Sequence, residues 1–207
     1  MRSNKSSGET LTRTQRARRE DLIGAAVDVI NREGYAAASV DRIARHAGTS
    51  KGTVLYHFRS KQGLDEAVVS ALYDAGAAVM GERLREAGSS RERLRVYLDA
   101  NLRFVAAHVA HVAAVQRILL GAGLVGELDV DASVPLARIL ADGQAAGELG
   151  EFDPALMALA VRAVVDRAAF HLVEHPGTDL DRYVAETARL FDLAVAPTGR
   201  TAQEDPS

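Results

Sequence analysis

SVDRIARHAGTSKGTVLYH, residues Ser39–His57, decides how the chain is read. Ser39 stands just before a short apolar-periodic run, where its hydroxyl can accept from a first-turn N–H, so a helix is predicted over Val40–Ala47. Gly48 breaks that helix. Ser50 caps the next, which runs to about Phe58. Ile43, Ala44 and Ala47 face inward from the first helix, and Val54 and Phe58 anchor the second. Ala44 must be small because the two helices cross closely. Two short helices joined by a tight glycine-containing turn have the spacing of a helix-turn-helix. Once the apolar side of the second helix is buried, Lys51, Gly52, Thr53 and His57 face outward.

The flanking sequence is also helical. Upstream, Ile23, Ala26, Val27 and Ile30 recur at i, i+3, i+4 and i+7 in a helix predicted over Thr14–Arg32, closed by Gly34. Downstream, Ser60 caps a long helix from Lys61 to near Gly88, with Leu64, Ala67, Val68, Ala71, Leu72 and Ala75 along one face. Further helices are predicted over Arg91–His108, Val109–Leu120 and Ser133–Gly147, with Gly121–Asp131 as a connection. Asp153 and Pro154 open another, ending at Glu174 before Pro176. The last runs over Leu180–Val195. Strand-like alternation is absent. The expected fold is all-α: an N-terminal three-helix helix-turn-helix domain and a C-terminal helical domain, roughly nine helices in total. The expected boundaries are a basic disordered tail over 1–12, the helix-turn-helix domain over 13–60, the second domain over 61–196, and a flexible tail over 197–207.

Charge separates the two parts. Residues 1–61 hold 12 Lys and Arg against 6 Asp and Glu, a surplus of six. The other 146 or so residues hold 13 basic against 22 acidic, a deficit of nine. A basic module on an acidic body suits a polyanionic partner for the module alone. The helix Lys51–Phe58 fits the DNA major groove, where Lys and Thr reach base edges, and its N-terminal N–H groups suit a phosphate. A helix-turn-helix used for protein contact alone is the rival reading. The chain has no cysteine, which removes disulfides and thiolate chemistry. There is no Ser/His/Asp elbow, no phosphate-cradling glycine loop and no placed carboxylate pair, so no enzyme is expected. The start Met1–Arg19 is polar and basic, and no apolar run reaches membrane-spanning length. A soluble, cytoplasmic protein with no membrane partner is expected.

The stretch GYAAASVDRIARHAGTSKGTVLYHFRSKQGL, Gly34–Leu64, resembles the DNA-binding signature of the tetracycline-repressor (TetR) family. The matching elements are Gly34-Tyr35, Ser39-Val40, Ile43-Ala44, Ala47-Gly48, Ser50-Lys51-Gly52-Thr53, Tyr56-His57-Phe58 and Ser60-Lys61. With Ile23, Ala26 and Ile30 the resemblance covers about residues 14–68. It implies a ligand-responsive regulator, a repressor released from a near-palindromic double-stranded DNA operator by a small molecule. Carried over by position, it puts Ser39, Lys51, Gly52, Thr53, Tyr56, His57 and Lys61 at the DNA. Where the family commonly has Leu-Tyr, this chain has Val54-Leu55, leaving open whether Tyr56 takes the backbone contact or packs. Asp41 is expected to point away from DNA or to restrain Arg45 at i+4. Arg16, Arg18 and Arg19 either lie along phosphates or are ordinary exposed charges.

The helix Pro154–Glu174 is apolar nearly all round, which requires burial on two sides. Leu156, Leu159, Ala160, Ala163 and Val164 form one face. Val161, Val165, Ala168, Ala169 and Leu172 form the other, and Arg162, Asp166 and Arg167 interrupt them. One side can be the domain's own core and the other a partner subunit. The resemblance implies a homodimer through the last two helices, with Ala163, Arg167, Phe170, Leu190 and Phe191 at the interface. It also implies a pocket in each body for an unidentified, small apolar or amphipathic effector, with no other cofactor. Candidate lining residues are Met80, Leu84, Tyr97, Asn101, Phe104, His108, Gln116, Met157 and His171. The pairs His108/His111 and His171/His175 have metal-ligand spacing but lack further ligands, and no metal site is assigned.

Overall fold

The computed structural model describes residues 12–122 and 127–197, so the expected tails lie outside them apart from Thr12 and Pro197. The described residues form helices without strands. Those through Ser70 make one compact unit and those from Ala71 a second.

In the first unit, α1 spans Arg13–Glu33, α2 Val40–His46 and α3 Lys51–Phe58, and α4, Lys61–Glu86, begins. Thr12, expected in the tail, instead caps α1. Its hydroxyl accepts from the Gln15 N–H while the Gln15 amide oxygen accepts from the Thr12 N–H, a reciprocal box that fixes the start. Gly34, at φ +84°, ends α1, and Gly48, at φ +61°, makes the turn between α2 and α3. Both lie in the left-handed region that a side chain disfavours. The serines cap as expected: Ser39 accepts from Arg42 N and Ser50 from Thr53 N. Leu22, Ala26, Ile30, Ile43, Ala44, Val54, Leu64 and Val68 are essentially inaccessible and form the core. Leu22 is buried more deeply than the expected Ile23, which is half-buried. Each buried Leu, Ile or Val side chain among them contributes about 1.5–3 kcal/mol relative to exposure.

The division falls inside α4 rather than at its first residue. The cause is visible in its opening turns. Leu64 and Val68 are buried, Lys61 lies 4.4 Å above the Tyr35 ring, and the Tyr35 hydroxyl donates to Asp65 at 3.1 Å. Those turns thus belong to the first core.

The second unit holds the rest of α4 with α5 (Ser90–Ala107), α6 (Val109–Ala122), α7 (Glu127–Ala145), α8 (Pro154–Glu174) and α9 (Leu180–Ala194). The chain bends by 93° between α5 and α6. No single helix among the described residues is long and apolar enough to cross a membrane. Of the expected connection Gly121–Asp131, residues 123–126 lie outside the described residues; Gly121 and Ala122 end α6 instead, and α7 begins at Glu127 and takes Pro135 inside it. Leu136 and Leu140 of α7 are fully buried, and such packing overrides the weak local propensity that suggested a loop.

An ion network ties this unit together. Arg83 and Arg103 both hold the Asp99 carboxylate, at 2.6 and 2.8 Å, and Arg103 reaches Asp181 of α9 at 2.7 Å. Burial acts to raise the Asp99 pKa, but the hydrogen bonds and charges of Arg103 and Arg83 outweigh it and hold the carboxyl below its ordinary value. A carboxyl whose pKa is lowered on folding contributes stability that is complete above its unfolded value, about 3.9, and lost as pH falls through the folded one. Asp99→Asn is therefore expected to lower the melting temperature at neutral pH by a few degrees, on the order of 1 kcal/mol, and to narrow its difference from wild type below about pH 4. Melting curves followed by circular dichroism across that range check it; a difference that grows in acid contradicts the assignment.

Candidate nucleic-acid interface and effector cavity

The second helix of the turn motif, α3, is held from behind. Val54 is fully buried and Phe58 nearly so, which leaves the opposite side to solvent. Lys51 and Gly52 are exposed, Thr53 and His57 half-exposed, and Tyr56 is 73% exposed. Leu55 is half-buried, so the aromatic ring presented outward is that of Tyr56, set edge-on to His57 with ring centres 5.2 Å apart. Ser39, at the start of α2, is exposed as well.

Three side chains behave differently from expectation. Asp41 does not restrain Arg45; its carboxylate takes the Lys51 ammonium at 3.0 Å, across the turn, with both side chains about half exposed. Pairs of that exposure are worth about 0–1 kcal/mol, so a phosphate or base edge can compete for Lys51. Lys61 is committed inside the unit: its ammonium pairs with Asp65 at 2.5 Å and covers the Tyr35 ring. The Asp65 side chain is only 8% exposed. Burial, the Asp65 charge and its hydrogen bond together raise the pKa of the Tyr35 phenol. Arg19 neither trails along the surface nor stands free. Its guanidinium donates to the His57 carbonyl at 2.7 Å and lies 4.4 Å from the Phe58 ring centre, covering the C-terminal end of α3. A cation at a helix C-terminus satisfies the last carbonyls and the dipole. Periodicity had no means of finding this contact, which joins residues 38 positions apart.

The second unit holds a half-open cavity of about 400 Å³, within the range of small-molecule sites. Its wall is largely apolar, with Leu72, Val112, Val115, Leu119, Leu136 and Ile139 prominent. Met80, Leu84, Tyr97, Asn101, Phe104 and Gln116 all reach it. His108, Met157 and His171 do not. The His108 ring stacks on Phe104 at 4.2 Å and hydrogen-bonds the Phe104 carbonyl, which places it beside a wall residue instead of on the wall. His171 stacks between His175 and Tyr183, at 4.5 and 5.3 Å, and meets the Thr178 hydroxyl. No group of three or more metal-ligating side chains forms among the described residues. The residues that pattern reading missed are Arg162 and Asp166. They line the cavity and pair at 2.5 Å, the Arg162 side chain being 12% exposed. The available signal was a pair of opposite charges at i, i+4 interrupting an otherwise apolar helix.

Helices α8 and α9 leave an apolar surface. Ala158, Val161, Val165, Ala168 and Ala169 are buried in the unit's own core, while Leu156, Leu159 and Val173 on α8 and Leu190 and Leu193 on α9 are at least half exposed. Ala163, Arg167 and Leu190 are exposed and Phe170 is half-buried, 5.4 Å from the Arg167 guanidinium. Phe191 is a correction: it is 5% exposed, turned inward with Val184, Thr187 and Val195. Its neighbour Asp192 explains the orientation, since it pairs with Arg91 and Arg95 of α5.

Comparison with known proteins agrees with this geometry. Residues 22–68 match the family model of bacterial regulatory proteins, tetR family. The chain is 39% identical over 89 residues to the HTH-type transcriptional regulator BetI of Ectopseudomonas mendocina, covering 42% of this chain and 45% of that protein. It is 34% identical over 130 residues to the HTH-type transcriptional activator FasR of Mycolicibacterium smegmatis, covering 63% of this chain and 57% of FasR. The matches thus span about half the length of these curated relatives. The fold is shared with a regulatory protein in the tetR family from Rhodococcus RHA1, with a TM-score of 0.78 and 20% identity over 87% of this chain and 98% of that one. The capped helix-turn-helix lies within the matched stretch: residues 22–68 are similar to the tetR-family model of bacterial regulatory proteins, and the helical architecture is that of a solved regulatory protein of that family.

Proposed function

We propose that the chain is a ligand-responsive transcriptional regulator that binds a near-palindromic DNA operator as a homodimer and, as a repressor, leaves it when a small molecule fills the body. The carrying observation is α3. It is fixed by Val54 and Phe58 on one side and by Arg19 at its end, and it offers Lys51, Gly52, Thr53, Tyr56 and His57 together on the other. The basic surplus of residues 1–61 supports the same reading. The apolar face of α8 and α9 suits a second copy, and a two-fold dimer would set two recognition helices one DNA turn apart. Lys61, engaged by Asp65, is read as positioning the start of α4, with its contribution at DNA secondary to that of Lys51.

Coupling is assigned to α4. Its opening turns belong to the helix-turn-helix unit, and its later residues, among them Leu72, Tyr73, Gly76 and Met80, line the cavity. A ligand changes operator affinity by its differential affinity for two states of the dimer. The test is selection of bound DNA from random fragments at two salt concentrations, with wild type and the double variant Lys51→Ala/His57→Ala. Wild type should enrich a near-palindrome, more weakly at high salt, and the double variant should lose about 100-fold or more of its affinity. Equal enrichment by both proteins would remove α3 from DNA readout. Attachment of the recovered site to a reporter promoter separates repression from activation.

A further inference from the structure

The outward face of the helix-turn-helix carries an acid beside its cation. The Asp41 carboxylate, in the first turn of α2, holds the Lys51 ammonium at the start of α3 at 3.0 Å, and each side chain is 55% exposed. Helix electrostatics explain half of this pair. An acid suits the first turn of a helix, where the dipole is positive. A lysine at the first position of α3 meets that same positive end and is unfavourable there. Lys51 thus stands where it lowers the stability of its own helix, and Asp41 holds its charge from the other one. The cations nearby are placed differently: Arg42, next to Asp41, is taken by Glu33 of α1 at 2.7 Å, and Lys61 by the nearly buried Asp65.

Phosphate and base edge compete for an exposed lysine at DNA. Phosphate is disfavoured here, because an oxygen brought onto Lys51 also approaches the Asp41 carboxylate, and like charges that close repel. A base edge is neutral and offers partners of both kinds. With one N–H given to Asp41, the ammonium keeps two donors, and the carboxylate keeps acceptor sites. The pair therefore presents two donors beside an acceptor. In the major groove a G·C pair presents the complement, the N7 and O6 acceptors of guanine and then the N4 amino donor of cytosine. O6 and N4 are hydrogen-bonded to each other, about 2.7–3.2 Å apart. The separation of Lys51 Nζ and Asp41 Oδ2, 3.0 Å, falls in that range. An A·T pair sets its donor between two acceptors and offers the lysine no two adjacent acceptors.

We propose that Asp41 and Lys51 form one reading unit for a G·C pair, Lys51 on guanine O6 and N7 and Asp41 on cytosine N4, and that Lys51 is not a phosphate anchor. This rests on the reading of α3 as the recognition helix, and the experiment separates the two. The site selected by wild type is resynthesised with each base pair replaced in turn in both half-sites. Binding is followed by fluorescence anisotropy at two salt concentrations. Wild type should show one G·C pair per half-site whose replacement by A·T weakens binding about tenfold or more. In Asp41→Asn that penalty should fall to about threefold or less, because an amide also suits adenine, while the other positions keep theirs within about twofold. In Lys51→Ala the same penalty should be lost, and the slope of log affinity against log salt should change by less than about one. A phosphate anchor predicts the reverse: uniform weakening on every duplex and a slope smaller by about two, one per subunit. That result overturns the proposal. So does a wild-type profile without such a G·C pair, or an Asp41→Asn protein that keeps the full penalty; each leaves α3 as the recognition helix. No site enriched by wild type overturns the DNA reading, and this inference with it. The Lys51→Ala profile decides between base and phosphate even where Asp41→Asn fails to fold.

Discussion

Gly63→Ala is expected to destabilise the helix-turn-helix unit by about 2 kcal/mol or more and to abolish the proposed DNA binding at temperatures where the wild-type unit is still folded. The substitution looks favourable from sequence, because alanine in a helix is about 1 kcal/mol better than glycine. Geometry reverses the sign. A Cβ at position 63 would stand 2.2 Å from the carbonyl oxygen of Phe58 and 3.4 Å from its carbonyl carbon. The obstacle is backbone at the end of α3, so no side chain can rotate out of the way. That junction is already constrained. Arg59 has φ +65°, which costs a non-glycine residue about 1–2 kcal/mol, and Ser60 N–H donates to the same Phe58 oxygen at 2.8 Å. Relief would move the recognition helix or unwind the start of α4. At roughly 0.05–0.15 kcal/mol per residue, a unit of this size has only a few kcal/mol in total. Gly24, exposed in mid-α1 with nothing within 4 Å of its Cβ position, supplies the contrast. Gly24→Ala should stabilise by about 0.5–1 kcal/mol. Urea unfolding followed by circular dichroism compares the two; shifts of the same sign and size would refute the close approach at Gly63.

The contrast also marks what the sequence discloses. Local chemistry was legible. Serine at a helix start and glycine at its end act through the nearest few residues, and Ser39, Ser50, Gly34 and Gly48 all perform the roles their positions imply. Contacts across the chain were not. Nothing in the spacing of residues 13–33 says that Arg19 reaches the His57 carbonyl, and nothing near residue 63 announces the Phe58 oxygen except the oddity of glycine in a helix's first turn.

The cavity shows the same limit. Residues on α4 and α5 such as Met80, Leu84, Asn101 and Phe104 reach its wall, because the inner face of an amphipathic helix is readable. Arg162 and Asp166 went unassigned because a charge pair at i, i+4 has the same pattern on a solvated surface as beside a cavity; burial separates the cases. On α9 the apolar stripe was correctly seen, but a stripe does not say whether its partner is the chain's own core or a second copy. Phe191 went to the first and Leu190 remains outward.

That outward surface carries the other large effect. Leu159→Glu/Leu190→Glu is expected to convert the proposed dimer to a folded monomer and to reduce operator affinity by about 100-fold or more. Both side chains are at least half exposed in the single chain, at 50% and 58%, so each substitution alone should change its stability by no more than about 0.5 kcal/mol. In a four-helix contact built from α8 and α9 of two copies the same positions become buried. Leu156, Leu159, Val173, Leu190 and Leu193, half to two thirds exposed in the single chain, would then each contribute about 1–2 kcal/mol of further burial per subunit. A two-fold axis repeats every substitution, so the double variant places four carboxylates in that contact, each desolvated at a cost of several kcal/mol. With the copies apart, each recognition helix binds its half-site alone and the gain from linking the two is lost. Sedimentation gives the mass, circular dichroism the helix content, and fluorescence anisotropy the operator affinity. A variant that sediments as a dimer moves the interface elsewhere. A monomer that binds the operator as tightly as wild type would show that the two half-sites are not read together.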